Sequence, residues 1–448
     1  MDKTEITSQT ITNALEVYGW SHLDAVLLAA LATQSPLLLV GPHGTAKSLL
    51  VEKMAHALNL EIRHYNASLL NYDDLVGIPL PDESGENLRF VPTPGSIWDA
   101  GFVFFDEISR CRADLQNKLF PIIHERKVVG IPLDNLQHRW AAMNPPAPEE
   151  MDSNSSSNYY LGSEPLDPAL ADRFPFVVPV PDWRNLSHED RRQLISWEGV
   201  KQKSTQSSEA LVQANEADLA TLIERCVDLI PQIEGNFNEW LTDYIMYVMD
   251  LLDQAKLAQS PRRARMLARA VCAIHAARMV LENVDEGDLE FSAQLAIVYG
   301  MPQSASEVPP APATLIATHR QAWEIASLSD NDDWRHILQE TDPVQRIIVA
   351  DQLDFNDDDL SRLITQALGQ EESDARQVGL ATAMFLAFQE RRNLRPAAWE
   401  PLAKLARQVL EPRPMKTTLT PGYLTNTWQE LTNWQGTRPK KPDYIEQM

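Results

Sequence analysis

The run Leu37-Leu38-Leu39-Val40-Gly41-Pro42-His43-Gly44-Thr45-Ala46-Lys47-Ser48-Leu49-Leu50 decides how this chain is read. Four apolar residues without polar alternation suit a strand buried on both faces. After Ser48, Leu50, Met54 and Leu58 recur one helical turn apart, so a helix follows. A glycine-rich turn between such a strand and helix lets backbone N–H groups face phosphate oxygens, and the helix N-terminus adds partial positive charge there. Gly41, Pro42, His43, Gly44, Thr45, Ala46, Lys47, Ser48 and Leu49 are therefore expected to hold the phosphates of a nucleotide. Lys47 would act through its ammonium and Ser48 as a Mg²⁺ ligand. The strict motif has glycine where this chain has Ala46. The alanine is expected in near-helical backbone, because its methyl group forbids only left-handed conformations.

Working outward, apolar runs at residues 61–66, 102–105, 139–143 and 176–180 alternate with helical patterns. With residues 37–40 they predict one five-stranded parallel sheet covered by helices, an α/β class. Phe102-Val103-Phe104-Phe105-Asp106-Glu107 ends a buried strand in two carboxylates. Alone, such a pair reads equally well as the solvated start of a loop. Downstream of a phosphate loop, Asp106 is expected in the Mg²⁺ shell and Glu107 as the base that orients and deprotonates the attacking water. Asn144-Pro145 puts a neutral amide at the carboxyl edge of the sheet, where Asn144 could bind the water or the γ-phosphate, although Asn-Pro is also a common breaker.

Two arginine motifs follow. In Asp172-Arg173-Phe174, Arg173 is either an arginine finger donated to a neighbouring subunit or the partner of Asp172 in a local ion pair. Ser260-Pro261-Arg262-Arg263 opens a helix with a serine cap and proline in the first turn. Cations there oppose the helix dipole, which calls for an anionic partner. Arg262 reaching the γ-phosphate is one reading, and a salt bridge to an acidic neighbour is the other. The sequence does not choose between Arg262 and Arg263 as the sensor.

The chain has 448 residues, enough for two or three domains. Composition shifts divide it into a nucleotide-binding α/β core with N-terminal helices at residues 1–183, a helical lid at 184–300, a proline-rich linker at 301–312 and a mostly helical domain at 313–448. Lys and Arg number 39 against 63 Asp and Glu, a formal net charge of -24 that repels polyanions and disfavours nucleic acid as the main partner. The N-terminus lacks the pattern of a secretory signal, and the longest apolar stretch, residues 25–40, is broken at 33–36, so no membrane span is expected. Cys111, Cys226 and Cys272 are widely spaced, which suits reduced, buried thiols in a cytoplasmic protein. The acidic runs at 330–333 and 354–359 lack the glycine and closing glutamate of a calcium loop and read as helix caps. Residues 152–163 read as a surface loop and the basic patch at 438–441 as a solvated tail.

This ordered set of motifs resembles the MoxR-like AAA+ ATPases over about residues 18–281. The more specific segments are Asp74-Leu75-Val76-Gly77 and Arg89-Phe90-Val91-Pro92-Thr93-Pro94-Gly95-Ser96-Ile97-Trp98, which look like the family's helix-2 insert, a hairpin facing the ring pore. Asp106-Glu107-Ile108-Ser109-Arg110 and residues 162–174 also look like family segments, and alanine before the lysine is familiar there. The resemblance implies a P-loop AAA+ fold and a hexameric ring that hydrolyses ATP with Mg²⁺ between subunits. It also implies remodelling of a client with a partner that carries a von Willebrand factor A (VWA) domain. Tyr18 and Gly19 would lie near the adenine. Residues 313–448 fall outside the resemblance and read as a possible recruitment domain. ATP is expected over GTP, since Asn117-Lys118 runs into Leu119-Phe120 rather than a guanine-reading tetrad. A nucleic-acid motor on the same fold and a nucleotide-gated scaffold with little hydrolysis are the alternatives.

Overall fold

The computed structural model describes residues 11–81, 88–146, 165–195, 208–306, 309–328, 333–334, 337, 340, 342–370 and 373–410. Runs 152–163 and 438–441 lie outside these residues, as do parts of 162–174 and 330–333. Its centre is a five-stranded sheet of β1 (Leu37–Val40), β2 (Ile62–Asn66), β5 (Phe102–Asp106), β8 (His138–Met143) and β9 (Phe176–Pro179), in the order β2-β5-β8-β1-β9. Every neighbouring pair is parallel, with Val40 opposite Met143 and Phe105 opposite Ala141. The five strands anticipated from apolar runs are the five of this sheet. Its central members read as unbroken apolar segments because both faces are covered: Leu37 to Leu39 and Phe102 to Phe105 expose nothing. The edge strand β2 instead carries Arg63, His64 and Asn66 among its residues.

Parallel neighbours need crossovers, and helices supply them. Helix α1 (Asp24–Ala32) runs into β1, α2 (Lys47–Ala57) links β1 to β2, and α3 (Ala113–Phe120) lies between β5 and β8. Nearly all of α1 is buried, with two later helices packed against it. That later layer comprises α4 (Ser208–Gln254), α5 (Pro261–Glu282) and α6 (Glu290–Val298). Ser260 caps α5 by accepting from Arg263 N at 3.2 Å, with Pro261 in the first turn, as the sequence pattern foretells. Within the proline-rich stretch, Gln303–Ser306 is a short helix, and Ala305 O accepts from Leu166 N at 3.0 Å in the sheet's core. The first compact unit continues to Trp323. There the Tyr244 hydroxyl meets His319 Nδ1 at 2.8 Å, and Trp240 lies flat on Tyr244 and edge-on to Trp323.

The second unit begins at Glu324. Four helices, α7 (Pro343–Gln352), α8 (Asp357–Gln370), α9 (Asp374–Phe388) and α10 (Pro396–Leu410), enclose a core that includes Ile347, Leu360, Ile364, Met384, Phe388 and Leu402. The acidic run after Asp354 starts α8: Asp357, Asp358 and Asp359 fill its first turn, where the dipole favours them, and Arg395 pairs with Asp358. Buried Asp351 is held by Arg391 at 2.8 Å and Arg392 at 2.7 Å. All three cysteines are unpaired and buried. Among the described residues no helix is long and apolar enough to cross a membrane.

Two antiparallel hairpins leave the sheet layer. One pairs β3 (Ile78–Pro81) with β4 (Leu88–Val91), and the other pairs β6 (Lys127–Val128) with β7 (Ile131–Pro132). They carry exposed apolar side chains: Ile78 and Leu80 on the first, Val129 and Ile131 on the second. The first hairpin is anchored where Trp98 Nε1 donates to Val76 O at 2.8 Å and Tyr65 OH to Gly95 O at 2.7 Å. Its entry is Gly77, at φ 89° and ψ -177°, a region that only glycine occupies at ease. A Cβ there would also sit 2.3 Å from Val91 O. Gly77→Ala should therefore lower stability by about 2 kcal/mol, at the middle of the strain scale. Gly95→Ala, with open space around its position, should change the melting temperature little. Equal melting temperatures for the two variants, followed by circular dichroism, would contradict this account of the hairpin.

Candidate functional site

Because all five strands point the same way, their carboxyl ends collect the loops that carry polar residues. The phosphate loop leaves β1 with Gly41 N donating to Met143 O at 3.0 Å. Gly41 has no room for a side chain, since a Cβ would lie 2.1 Å from Val180 Cγ2. Gly44 sits at φ 76° with open space beside it. Thr45 Oγ1 donates to Pro42 O at 2.8 Å, which tightens the turn. Lys47 begins α2, and its ammonium folds back on Gly41 O and Pro42 O, each at 2.7 Å. Burial pulls the Lys47 pKa down to about 8 against the opposing pull of Asp106 and Glu107. His43 and Leu49 are exposed at the loop surface.

Ala46 departs from expectation. It is not near-helical but left-handed, at φ 65° and ψ 20°. The reason is that α2 starts one residue later, so Ala46 is its N-cap, where the chain turns from loop to helix axis. A Cβ in that conformation costs about 1–2 kcal/mol.

Across the strands, Ser48 Oγ donates to Asp106 Oδ2 at 3.0 Å. The pair offers hard oxygen donors beside the phosphate loop, a donor set that suits Mg²⁺ completing its shell with phosphate and water oxygens. Burial works against the Asp106 charge, but hydrogen bonds from His64, Ser48 and the Glu107 N–H outweigh it and hold its carboxyl below the usual value. His64 bridges from β2, with Nε2 3.7 Å from Asp106 Oδ2 and Nδ1 3.2 Å from Glu52 Oε1. Sequence reasoning missed His64 and Glu52. Only their register, one strand and one helical turn away from the acid pair and Ser48, could have suggested them.

Glu107 follows directly and is also left-handed, at φ 55° and ψ 37°. Its carboxylate lies 3.4 Å from Arg110 Nη1. Asn144 is buried just beyond β8, the strand between β5 and β1, so the edge reads Asp106 and Glu107, then Asn144, then Gly41. Tyr18 and Gly19 belong to the N-terminal segment, which Glu16 ties to α2 through Lys53 at 2.8 Å. Gly19 has φ 84° and lies so close to Leu186 that a Cβ would come within 2.1 Å of its Cδ2.

The two arginine motifs are placed elsewhere. Arg173 does not pair with Asp172. It donates to Ala169 O and stacks 4.2 Å above the Phe120 ring. Asp172 is taken instead by Ser260 Oγ at 2.9 Å, Arg262 at 3.4 Å and fully buried Arg263 at 3.3 Å. Arg263 also donates to Phe174 O at 2.8 Å. Of the two readings of Arg262, the salt bridge to an acidic neighbour is present, with Asp172. Arg262 lines, with Arg173, a cavity of about 570 Å³ beside Pro36 and Phe176, at the amino-terminal edge of the sheet. The helix start stays pinned to Asp172, on the far side of β1 from Lys47.

Residues 36–174 match the family described as AAA domain (dynein-related subfamily). The five-stranded parallel sheet with its phosphate loop and helical surround is a P-loop AAA+ fold. The chain is 32% identical over 99 residues to the denitrification regulatory protein NirQ of Stutzerimonas stutzeri, covering 21% of this chain and 35% of that protein. The match thus spans about a third of the relative's length. A crystal structure of a candidate ATPase from Cytophaga hutchinsonii overlays on 63% of this chain and 83% of its own, with 20% identity and a TM-score of 0.42.

The strain at Ala46 is testable. Ala46→Gly should stabilise the chain by roughly 0.5–1 kcal/mol, the relieved left-handed penalty less the extra entropy glycine loses on folding. The melting temperature should rise by about 2 °C. A fall would mean that the alanine methyl makes a favourable contact that outweighs the strain.

Proposed function

We propose that this chain is a MoxR-like AAA+ ATPase that hydrolyses ATP at a site shared between copies and uses the cycle to remodel a client protein complex. The observation that carries the reading is the hydrogen bond between Ser48 and Asp106, which joins the phosphate loop to the acid pair with Glu107 next in line. Backbone N–H groups of residues 43–48 and the Lys47 ammonium take the β- and γ-phosphates, for which Lys47 leaves the carbonyls of Gly41 and Pro42. A Mg²⁺ ion held by Ser48 and Asp106 supplies neutralisation of the charge on those oxygens. Glu107 leaves Arg110, orients a water against the γ-phosphorus and takes its proton as the new P–O bond forms. The bond to the β-phosphate oxygen breaks, releasing ADP and inorganic phosphate. Asn144, on the strand between, positions the same water.

Arg173 is not near the loop of its own chain, so its part is played in trans, as a finger on the nucleotide of a second copy in a ring, a hexamer by resemblance. Tyr18 and Gly19 flank the base. Residues 184–300 act as lid, and residues 313–448 recruit the client or a VWA-domain partner. Exposed Ile78, Leu80, Val129 and Ile131 on the two hairpins suit contact with a protein chain, and the net charge of -24 argues against nucleic acid in that place.

Glu107→Gln is expected to reduce turnover by about 10²–10⁴-fold while ATP binding persists, as read by steady-state hydrolysis and calorimetry. Unchanged turnover would favour a nucleotide-gated scaffold. Arg173→Ala should cost roughly 10³–10⁵ in rate with little change in folding stability. Mixing the two inactive variants should recover part of the activity, because an Arg173 from one meets a Glu107 from the other. Failure of the mixture to exceed either variant would place Arg173 outside the catalytic site.

A further inference from the structure

His64 stands on β2 between two side chains that hold the base of the first hairpin. Arg63 donates to Ser96 O at 3.0 Å and Tyr65 to Gly95 O at 2.7 Å. Residues alternate along a strand, so His64 faces the other way, against Phe104 of β5 with ring centroids 5.0 Å apart. On that face Nδ1 lies 3.2 Å from Glu52 Oε1 and Nε2 lies 3.7 Å from Asp106 Oδ2. Glu52 is one turn beyond Ser48 on α2, and Ser48 Oγ meets the same Asp106 oxygen at 3.0 Å. Ser48, Asp106, His64 and Glu52 thus close a circuit between the helix of the phosphate loop and two paired strands.

Among the described residues three donors serve Asp106: Ser48 on Oδ2, the Glu107 N–H on Oδ1 at 2.9 Å, and His64. They differ in how firmly the chain holds them. Ser48 belongs to the segment that takes the phosphates, and Glu107 to a left-handed turn. His64 comes from a regular strand, whose pairing sets it opposite Phe104 and sets Asn66 opposite Asp106. A carboxylate at each ring nitrogen also pins the imidazole, since turning the ring breaks both contacts at once. A carboxylate that is to bind an ion needs such a partner, because free rotation spreads its oxygens over several positions. Partners of this kind set metal affinity although they never touch the metal.

We infer that His64 is a positioning residue that fixes the Asp106 carboxylate for a divalent cation, and that Glu52 in turn fixes His64. The inference rests on the reading of Ser48 and Asp106 as the Mg²⁺ site. It assigns to the edge strand of the sheet a part in metal affinity, and none in holding the nucleotide itself.

The test uses the full-length chain with saturating ADP and Mn²⁺, an ion with the same preference for oxygen donors, whose free form is counted by electron paramagnetic resonance. His64→Phe keeps a ring against Phe104 and removes both nitrogens, whereas His64→Gln restores an N–H towards Asp106. His64 is about a third exposed, which puts the loss at the low end for such partners: Mn²⁺ affinity should fall about tenfold in the phenylalanine variant. Most of it should return in the glutamine variant. ADP affinity in EDTA, which reads the phosphate loop without metal, should be the same in all three chains. Glu52→Ala lies at an exposed position on the helix and leaves the strand untouched. It should weaken Mn²⁺ binding less than His64→Phe does, and no loss there would remove Glu52 from the circuit. Wild-type Mn²⁺ affinity in the phenylalanine variant, or an equal loss in the phenylalanine and glutamine variants, overturns the role of His64 and leaves the metal site standing. A wild-type chain that binds ADP but takes up no Mn²⁺ with it overturns the metal site and this inference together.

Discussion

Parallel pairing is the constraint from which the rest of the molecule follows. Strands that all run one way cannot be joined by tight turns, so each connection must travel back along a face, and helices α1, α2 and α3 cover the sheet as a result. The central strands are then dry on both sides, as Phe102 to Phe105 show. Polar chemistry is expelled to the two ends of the strands. At the carboxyl ends lie Lys47, Ser48, Asp106, Glu107 and Asn144, and beside the amino ends lie six arginines. One end carries the phosphate loop and the acid pair, the other a cluster of guanidinium groups.

What could be read from the sequence follows the range of the forces concerned. The sheet was legible because burial on both faces leaves no polar alternation in β1, β5 or β9. The cap of α5 was legible because Ser260, Pro261 and Arg263 act within one turn. Ala46 was misjudged because the start of α2 shifts by a residue, and a one-residue shift reverses what its backbone must do. The partners of Asp172 could not be read, since Ser260, Arg262 and Arg263 lie some ninety positions away in the chain. Arg265 and Arg269 were not singled out in the sequence, because what they face depends on what the sheet places opposite the helix.

Of the ten non-glycine residues with positive φ among the described residues, two lie in the phosphate loop and the acid pair. Ala46 and Glu107, one on each side of the Ser48–Asp106 bond, both hold left-handed backbone that an ordinary side chain avoids. Ala46 turns the loop so that α2 starts directly at Lys47. Glu107 turns the chain away from β5 just as its N–H closes on Asp106 Oδ1 at 2.9 Å. The surrounding core, with Phe105 and Ile108 fully buried on either side of the acid pair, sets the backbone against its own preference.

Asp172 joins two parts of the first unit that the sequence keeps far apart. It stands just before β9 and holds the first turn of α5 by three side chains, one of them a guanidinium with no exposure. Withdrawing Arg263 would leave the half-buried Asp172 with Ser260 and Arg262 as its partners and remove the one contact made from a fully buried side chain. The helical layer is therefore not free to slide over the sheet at this point. It behaves as an arm clamped at one end, so that a push on α5 is transmitted as torque to the strand whose neighbour in sequence is Arg173.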